Sequence, residues 1–308
     1  MLNFLLDITP DKSQLLITIK LAGILREKKQ EVYYTYTSNP AFTPVLYNKG
    51  ISNCVLYPDD FRWLKPDLTL LDCRHAAHAS LYRQLAIDYI FIAMQLPNQK
   101  NIQDKDISVL YLPPTPYLSS GSGPRVESLA KRLQDIKKDK GRNIIVGLLG
   151  KGNKNSKILE DFYRVIKRSS IRNPRYQFIL LTDIQNVYQS FELPGNMELF
   201  RTLNLNTILP LCDLALTDSH SDAWLDCTFA QIPVLKYSPK DMINITPMKL
   251  EQQIEYALQN KITLTQKAKE LCDFFERKNR EINKIADMLI ERAGRNRYNS
   301  CRLRPHTY

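Results

Sequence analysis

Two successive series of apolar strand-like runs alternating with amphipathic stretches constrain this chain more than any other feature. In the first, NFLLDI (3–8) is followed by residues 13–28, which place Leu15, Ile19, Ala22 and Leu25 on one helical face. EVYYTYT (31–37) is rich in β-formers. A short helix over 40–49 ends at Gly50, and NCVLY (53–57), DLTLLDC (67–73) and YIFIAMQL (89–96) read as further strands, with a helix around His78–Leu85. DLTLLDC is nearly continuously apolar, as expected of a parallel strand covered on both faces. LPPTPYLSSGSGP (112–124) then breaks the pattern with four prolines and two glycines. A basic helix near Arg125–Lys138 precedes the second series. Its strands are NIIVGLLG (143–150), RYQFILLTD (175–183), MELF (197–200), DLALTD (213–218) and PVLKY (233–237), with helices near 155–169, 206–211, 221–230 and 249–259.

Such alternation predicts an α/β fold of two doubly wound, Rossmann-like domains with parallel sheets. The expected division is 1–120, a linker over 121–142, a second domain over 143–263, a long helix over 264–293 and a basic tail over 294–308. In doubly wound sheets ligands bind beyond the carboxyl ends of the strands, so a cleft between the two halves is the expected site.

Composition narrows the class. The chain has 308 residues, 44% hydrophobic and 24% charged, as in ordinary globular proteins. No apolar run approaches the roughly 20 residues of a membrane-spanning helix. The first run lacks a basic flank and is cut short by Asp7, so it reads as a strand and not as a signal peptide. The six cysteines have no CxxC spacing and sit mostly in apolar stretches, which fits a reducing, cytoplasmic setting and no structural zinc. The net charge of +11 suggests an anionic partner. Five arginines, Arg292, Arg295, Arg297, Arg302 and Arg304, fall near the C-terminus. They form either a solvated basic tail or a peripheral anchor to an anionic membrane surface, worth about 1 kcal/mol per basic residue. No stacking platform accompanies them, so no nucleic acid beyond a nucleotide is expected as a partner.

The segment 193–236 carries a specific resemblance. Leu193-Pro194-Gly195-Asn196-Met197, Leu211-Cys212-Asp213-Leu214-Ala215-Leu216-Thr217 and Gln231-Ile232-Pro233-Val234-Leu235 resemble, in order, the phrases LP-x-N-V, CDL-x-(I/L)-T and G-(V/I)-P-(V/L). Those phrases belong to the donor-binding half of GT-B nucleotide-diphospho-sugar glycosyltransferases, including the UDP-glycosyltransferases and the N-acetylglucosaminyl transferase of peptidoglycan synthesis. The resemblance implies two facing Rossmann-like domains, a UDP- or dTDP-sugar donor, an acceptor of unknown identity that can be lipid-linked or a cell-surface glycan, and no cofactor. It implies a donor site built from Gly150, Lys151 and Gly152 in a strand–helix turn, from Phe200, and from Ser219, His220, Ser221, Asp222 and Asp226. A turn leading into a helix offers unpaired N–H groups to a diphosphate, and Asp226 falls where the family has an acid that accepts ribose hydroxyls. The chain departs from the family at the chemically demanding positions. Asp218 replaces the phosphate-binding His, Ser219 and His220 replace two glycines, and Asp222 and Ala223 replace Asn and Ser. Lys151 or Lys154 is then needed to offset Asp218.

LAGILREKKQEVYYTYT (21–37) resembles the family phrase LA-x-x-L-x-x-x-G-H-x-V-x-x-x-T of the acceptor-side domain. The family's general-base His falls on Gln14, preceded by Ser13, and glutamine cannot accept a proton near pH 7. Asp72 matches the acid that orients that His. Asp11, Asp72, His75 and His78 are the candidate substitutes, and Asp11, Asp72 and His75 form the catalytic expectation. His75 and His78 have the three-residue spacing of a metal pair, but no third ligand is in view, so no metal is expected. In the family the last helix braces the cleft, a role that falls to 264–293.

Three readings stay open on the sequence: an active transferase, a catalytically inactive GT-B-like module binding a nucleotide or partner, and a nucleotide-sugar hydrolase.

Overall fold

The computed structural model describes residues 1–8, 12–35, 64–94, 102–103, 108–114, 124–149, 156–182, 192–219 and 221–302. The chain forms two compact units, Met1–Thr115 with Phe274–Tyr308, and Pro116–Asp273.

In the first unit the strands are β1 (Asn3–Asp7), β2 (Glu31–Tyr34), β3 (Leu68–Asp72), β4 (Tyr89–Met94), β5 (Ile102–Gln103) and β6 (Ser108–Leu112). Their order is β2-β1-β3-β4-β6-β5, parallel throughout except for β5, which runs antiparallel to β6. Side chains alternate between two apolar layers. Phe4, Leu6, Leu68, Leu70, Ile90 and Ile92 face one, and Leu5 and Leu71 face the other. The first layer is closed by helix α1 (Lys12–Glu27), through Leu15, Leu21, Ala22 and Leu25. The second is closed by α2 (His78–Gln84), through Ala79 and Tyr82.

The second unit contains α3 (Pro124–Lys140), β7 (Asn143–Leu148), α4 (Ser156–Arg172), β8 (Tyr176–Leu181), β9 (Met197–Phe200), α5 (Leu205–Ile208), β10 (Leu214–Asp218), α6 (Ala223–Phe229), β11 (Val234–Tyr237), α7 (Pro239–Asn244) and α8 (Pro247–Gln259). Its all-parallel sheet has the order β11-β10-β7-β8-β9. Ile145, Phe178, Leu180, Leu214 and Leu216 face a layer with Phe162 and Ile166 of α4 and Ile254 of α8. Ile144, Val146, Ile179 and Ala215 face one with Leu129 and Leu133 of α3. Both units are therefore doubly wound, as the alternation predicts.

The C-terminal stretch differs from the single helix and loose tail expected. Helix α9 (Lys261–Arg280) is followed, after Glu281, by α10 (Ile282–Arg302), which is helical well past residue 294. Ile282, Ala286, Leu289 and Ala293 recur at helical spacing and lie fully buried in the first unit's core. Burying one such Ile or Leu is worth about 1.5–3 kcal/mol. Two of the five arginines make contacts that tie α10 to the first unit. Arg292 holds Asp88 through Nε and Nη2 at 2.7 and 2.9 Å, Asn296 Nδ2 donates to Asp88 at 2.7 Å, and Arg297 donates to the Met1 carbonyl at 2.6 Å. Arg292 and Arg297 thus brace the first unit, while Arg295 pairs with Glu291 one helical turn away on the exposed face of α10. Among the described residues no helix is long and apolar enough to cross a membrane.

Four described non-glycine residues have left-handed backbone, Lys29, Lys65, Ala86 and Gln231, and two of them fall in the resembling phrases. Lys29 has φ +62° and Gln231 φ +56°. At Lys29, Gln30 N donates to Leu25 O at 3.0 Å and Lys29 N to Arg26 O at 2.8 Å, the paired bonds of a helix terminator that normally uses glycine. In the resembling phrases these are the positions of the G in G-H-x-V and in G-(V/I)-P.

Candidate functional site

Among the described parallel strands of each sheet the order reverses once, and the carboxyl ends at that reversal are where a doubly wound unit binds ligands. In the first unit the reversal lies between β1 and β3, where β1 ends in Asp7 and β3 in Asp72.

Asp7 is 2% exposed and gathers donors from three segments. Its Oδ1 lies 3.1 Å from His75 Nδ1 and accepts from Thr35 Oγ1 at 3.3 Å. Its Oδ2 lies 2.7 Å from His78 Nδ1 and accepts the Tyr82 hydroxyl at 2.7 Å. The two imidazole rings are 4.8 Å apart. The carboxylate and Tyr82 are buried, whereas the His75 and His78 side chains are 24% and 52% exposed. Each ring is thus anchored at Nδ1 on the buried carboxylate while part of its side chain stays exposed. Burial first, and then the Asp7 charge and hydrogen bond, push the Tyr82 hydroxyl far above the ordinary phenol range, so it remains a donor.

Asp72 does different work. Its carboxylate accepts from Arg74 N at 2.9 Å and from Arg74 Nε at 3.1 and 3.2 Å, capping the short turn Cys73–His75. It therefore holds the backbone that presents His75, while the carboxylate on the imidazole itself is Asp7. The third group that the sequence did not supply to His75 and His78 comes from β1. Asp11 lies outside the described residues, and Gln14 lies on α1.

In the second unit the reversal lies between β7 and β10. β10 ends in Asp218, which is fully buried. The following turn is pinned to β11 by Ser219 N donating to Tyr237 O at 2.8 Å, and Ser221 N donates to Asp218 O at 3.2 Å. Ser221 Oγ then accepts from Ala223 N at 3.1 Å, so the first turn of α6 is capped by Ser221, while Asp222, at the N-cap, makes no capping bond. Asp226 lies half-buried in the first turn of α6. Phe200 ends β9 and packs against the apolar layer of Leu129 and Ile179. Gly150, Lys151, Gly152 and His220 lie outside the described residues.

A cation that sequence reading missed does reach this turn. Lys236 of β11 places its ammonium 3.8 Å from the ring centre of Trp224, in the first turn of α6, and burial lowers its pKa. The signal was present in the strand PVLKY, but only the β10–β11 pairing brings it beside α6. Lys236 and Lys249 also line a cavity of about 570 Å³ bounded by Tyr237, Asp241, Gln253 and Tyr256.

Two further residues of the resembling phrases, Asn196 and Asp213, are structural pins. Asn196 Nδ2 donates to the carbonyls of Ser170, Tyr176 and Asn173 at 2.9, 2.9 and 3.3 Å, tying the end of α4 to the start of β8. Asp213, 2% exposed, accepts from Ile144 N at 2.9 Å, pairs with Lys137 at 2.9 Å and binds Lys261. Burial works to raise its pKa, but the bonds from Lys261, the Ile144 amide and Lys137 outweigh it and hold the carboxyl below the usual range.

No protein-family model matches the chain, and no curated protein matches it in sequence. Solved structures do. The glycotransferase of kitacinnamycin is 13% identical with a TM-score of 0.67, the match covering 94% of this chain and 98% of the other. The spinosyn forosaminyltransferase SpnP is 12% identical with a TM-score of 0.67, covering 94% and 99%. The spinosyn rhamnosyltransferase SpnG, solved with thymidine diphosphate, is 12% identical with a TM-score of 0.63, covering 92% and 100%. The chain shares the two-unit GT-B fold of these glycosyltransferases over nearly its whole length.

Proposed function

We infer that the chain is a glycosyltransferase that moves a sugar from a nucleotide-diphospho-sugar, with UDP or dTDP as carrier, to a hydroxyl of a glycan or lipid-linked acceptor. The observation that carries this reading is the Asp7–His75–His78 cluster at the switch point of the first unit. Single displacement at the anomeric carbon needs a base on the attacking hydroxyl, and Gln14 cannot serve. An imidazole that donates Nδ1–H to a buried carboxylate has its Nε2 lone pair outward. The carboxylate fixes the tautomer and steadies the imidazolium that forms. His75 and His78 both meet Asp7 in this way. In the step proposed, the acceptor oxygen bonds to C1, its proton passes to the imidazole, and the bond from C1 to the diphosphate oxygen breaks with both electrons leaving on the nucleoside diphosphate.

The β10–α6 turn, the 150–153 loop and Lys236 would meet that diphosphate, and Asp226 the ribose hydroxyls. The thymidine diphosphate bound to SpnG supports dTDP as one carrier. The buried Asp218 favours a second reading, an inactive module that keeps the fold without the chemistry.

A thermal-shift screen against UDP, dTDP, GDP and their sugars tests the first reading. A bound nucleotide at 100 times its Kd adds about 2.7 kcal/mol, a rise of roughly 5–11 °C for a unit of this size. Asp226→Ala should abolish that rise. Release of nucleoside diphosphate that depends on an acceptor identifies a transferase, and release without one identifies a hydrolase. A melting temperature indifferent to every nucleotide would sink both and leave the inactive module.

A further inference from the structure

The residues that hold a proton in the reading above also stand close enough together to act as metal ligands. We propose that Asp7, His75 and His78 bind one divalent transition-metal ion of the zinc class.

Each of the three offers one ligand atom, and these atoms lie within 4.8 Å of one another. At metal–nitrogen distances of about 2.0–2.1 Å, neighbouring ligand atoms stand roughly 3–3.5 Å apart. The cluster therefore closes on an ion by a small inward swing of its imidazoles. His78 begins helix α2 with its side chain 52% exposed, so its ring has room for that swing.

The carboxylate is already oriented from behind. Tyr82 donates to Oδ2 at 2.7 Å and Thr35 to Oδ1 at 3.3 Å, the kind of outer hydrogen bonds that ligating carboxylates carry. His75 is fixed by the turn that Asp72 caps, and Arg74, the cation beside it, is held by Asp72. The ligands thus come from three pieces of backbone whose mutual positions are set by the β1–β3 pairing and the packing of α2.

Donor chemistry selects the ion. Two imidazoles and one carboxylate suit Zn²⁺, Co²⁺, Ni²⁺ or Fe²⁺ and not Mg²⁺ or Ca²⁺, which take oxygen ligands. Three protein ligands with an exposed outer side leave at least one position for water or substrate, as in sites where the ion acts on a ligand and not only on the fold. An ion on the two Nδ1 atoms replaces their hydrogen bonds to Asp7, so the loaded chain and the imidazole base are alternative states of one cluster.

Calorimetric titration of chelator-treated, full-length protein with Zn²⁺ tests the proposal. The expected result is one ion per chain, and no heat with Mg²⁺. His75→Ala and His78→Ala should each weaken binding by at least the 10–100-fold that loss of even an outer partner costs. His306→Ala should leave binding unchanged. Visible absorption of Co²⁺ bound to the unaltered protein gives a second reading that needs no variant. Absence of binding, absence of those bands, or binding that survives both His75→Ala and His78→Ala would overturn it. Neither donor nor acceptor is present in this assay, so its failure is distinct from failure of the transferase reading.

Discussion

Removing the Asp7 carboxylate should destabilise the first unit chiefly through Tyr82. The imidazoles of His75 and His78 are 24% and 52% exposed, so water replaces the lost partner there. Tyr82 is fully buried, and its hydroxyl has Asp7 as acceptor at 2.7 Å. In Asp7→Ala that hydroxyl loses this acceptor, at about 1–3 kcal/mol, and Thr35 Oγ1 loses its bond to the carboxylate, at roughly 1 kcal/mol, for a total of about 2–4 kcal/mol. Tyr82→Phe alone removes one of the carboxylate's donors and leaves the others, at about 1–2 kcal/mol. In the double variant Phe needs no partner, so its cost should fall short of the sum by about 1–3 kcal/mol. Scanning calorimetry of the full chain is the suitable assay, because two units need not melt as one transition. Asp7→Ala should lower the first unit's Tm by roughly 5–15 °C. Asp7→Asn keeps an acceptor for Tyr82 and should stay folded with a loss near 1 kcal/mol. It should nonetheless reduce transfer by about 10²–10⁴-fold, because the amide no longer enforces the tautomer. Single-variant costs that add to within about 0.5 kcal/mol would refute the reasoning, since residues sharing one bond cannot be independent.

Two further tests address the second unit and the backbone. Asp213 has its pKa lowered in the folded chain, so its contribution is complete above the unfolded carboxyl value near 3.9 and is lost as pH falls through the lower folded value. Urea melts should therefore show Asp213→Asn at a disadvantage at pH 7 that shrinks towards pH 2, and Asp213→Ala about 1–3 kcal/mol worse than Asp213→Asn because Ile144 N loses its acceptor. Lys29→Gly and Gln231→Gly should each raise stability by about 0.5–1 kcal/mol, since both positions hold left-handed backbone that a side chain disfavours. A drop in Tm for either variant would place that backbone elsewhere.

The fold was readable because its signals are local. The near-continuous apolar runs NIIVGL and YQFILL send neighbouring side chains to opposite apolar layers, and Leu15, Ala22 and Leu25 mark one face of α1. Where local signals were weak the reading failed. The pair β5 and β6 was missed because QDKDIS interrupts its apolar run, and α7 was missed because it is a short turn capped by Ser238 and Asp241. The break between α9 and α10 at Glu281 carries neither proline nor glycine. The cluster on Asp7 was harder still. Its histidines lie 68 and 71 residues away, and a lone Asp at a strand end has the same appearance whether it is solvated or shared by two imidazoles.

The motif segment 193–236 carries more information about architecture than about chemistry, and its contacts say why. Asn196 and Asp213 bond backbone groups at the junctions of α4 with β8 and of β10 with β7. Each such group left unpaired costs about 1–3 kcal/mol in a fold whose whole margin is about 5–15 kcal/mol. Those positions cannot drift without losing the unit. The departures from the resembling pattern fall instead at Asp218, Ser219 and Asp222, in the turn after β10 where the resemblance expects the donor phosphates. Lys29 and Gln231 show the intermediate case: the left-handed backbone is retained and the glycine is not, because a side chain there costs only about 1–2 kcal/mol. A replaced ligand residue in such a chain is evidence about its chemistry, whereas a retained pin is evidence only about its sheet. A base for the proposed transfer is then sought by where the sheet places titratable groups. At the β1–β3 switch point that search leads from Gln14, which holds the family's position, to His75 and His78, which hold the carboxylate.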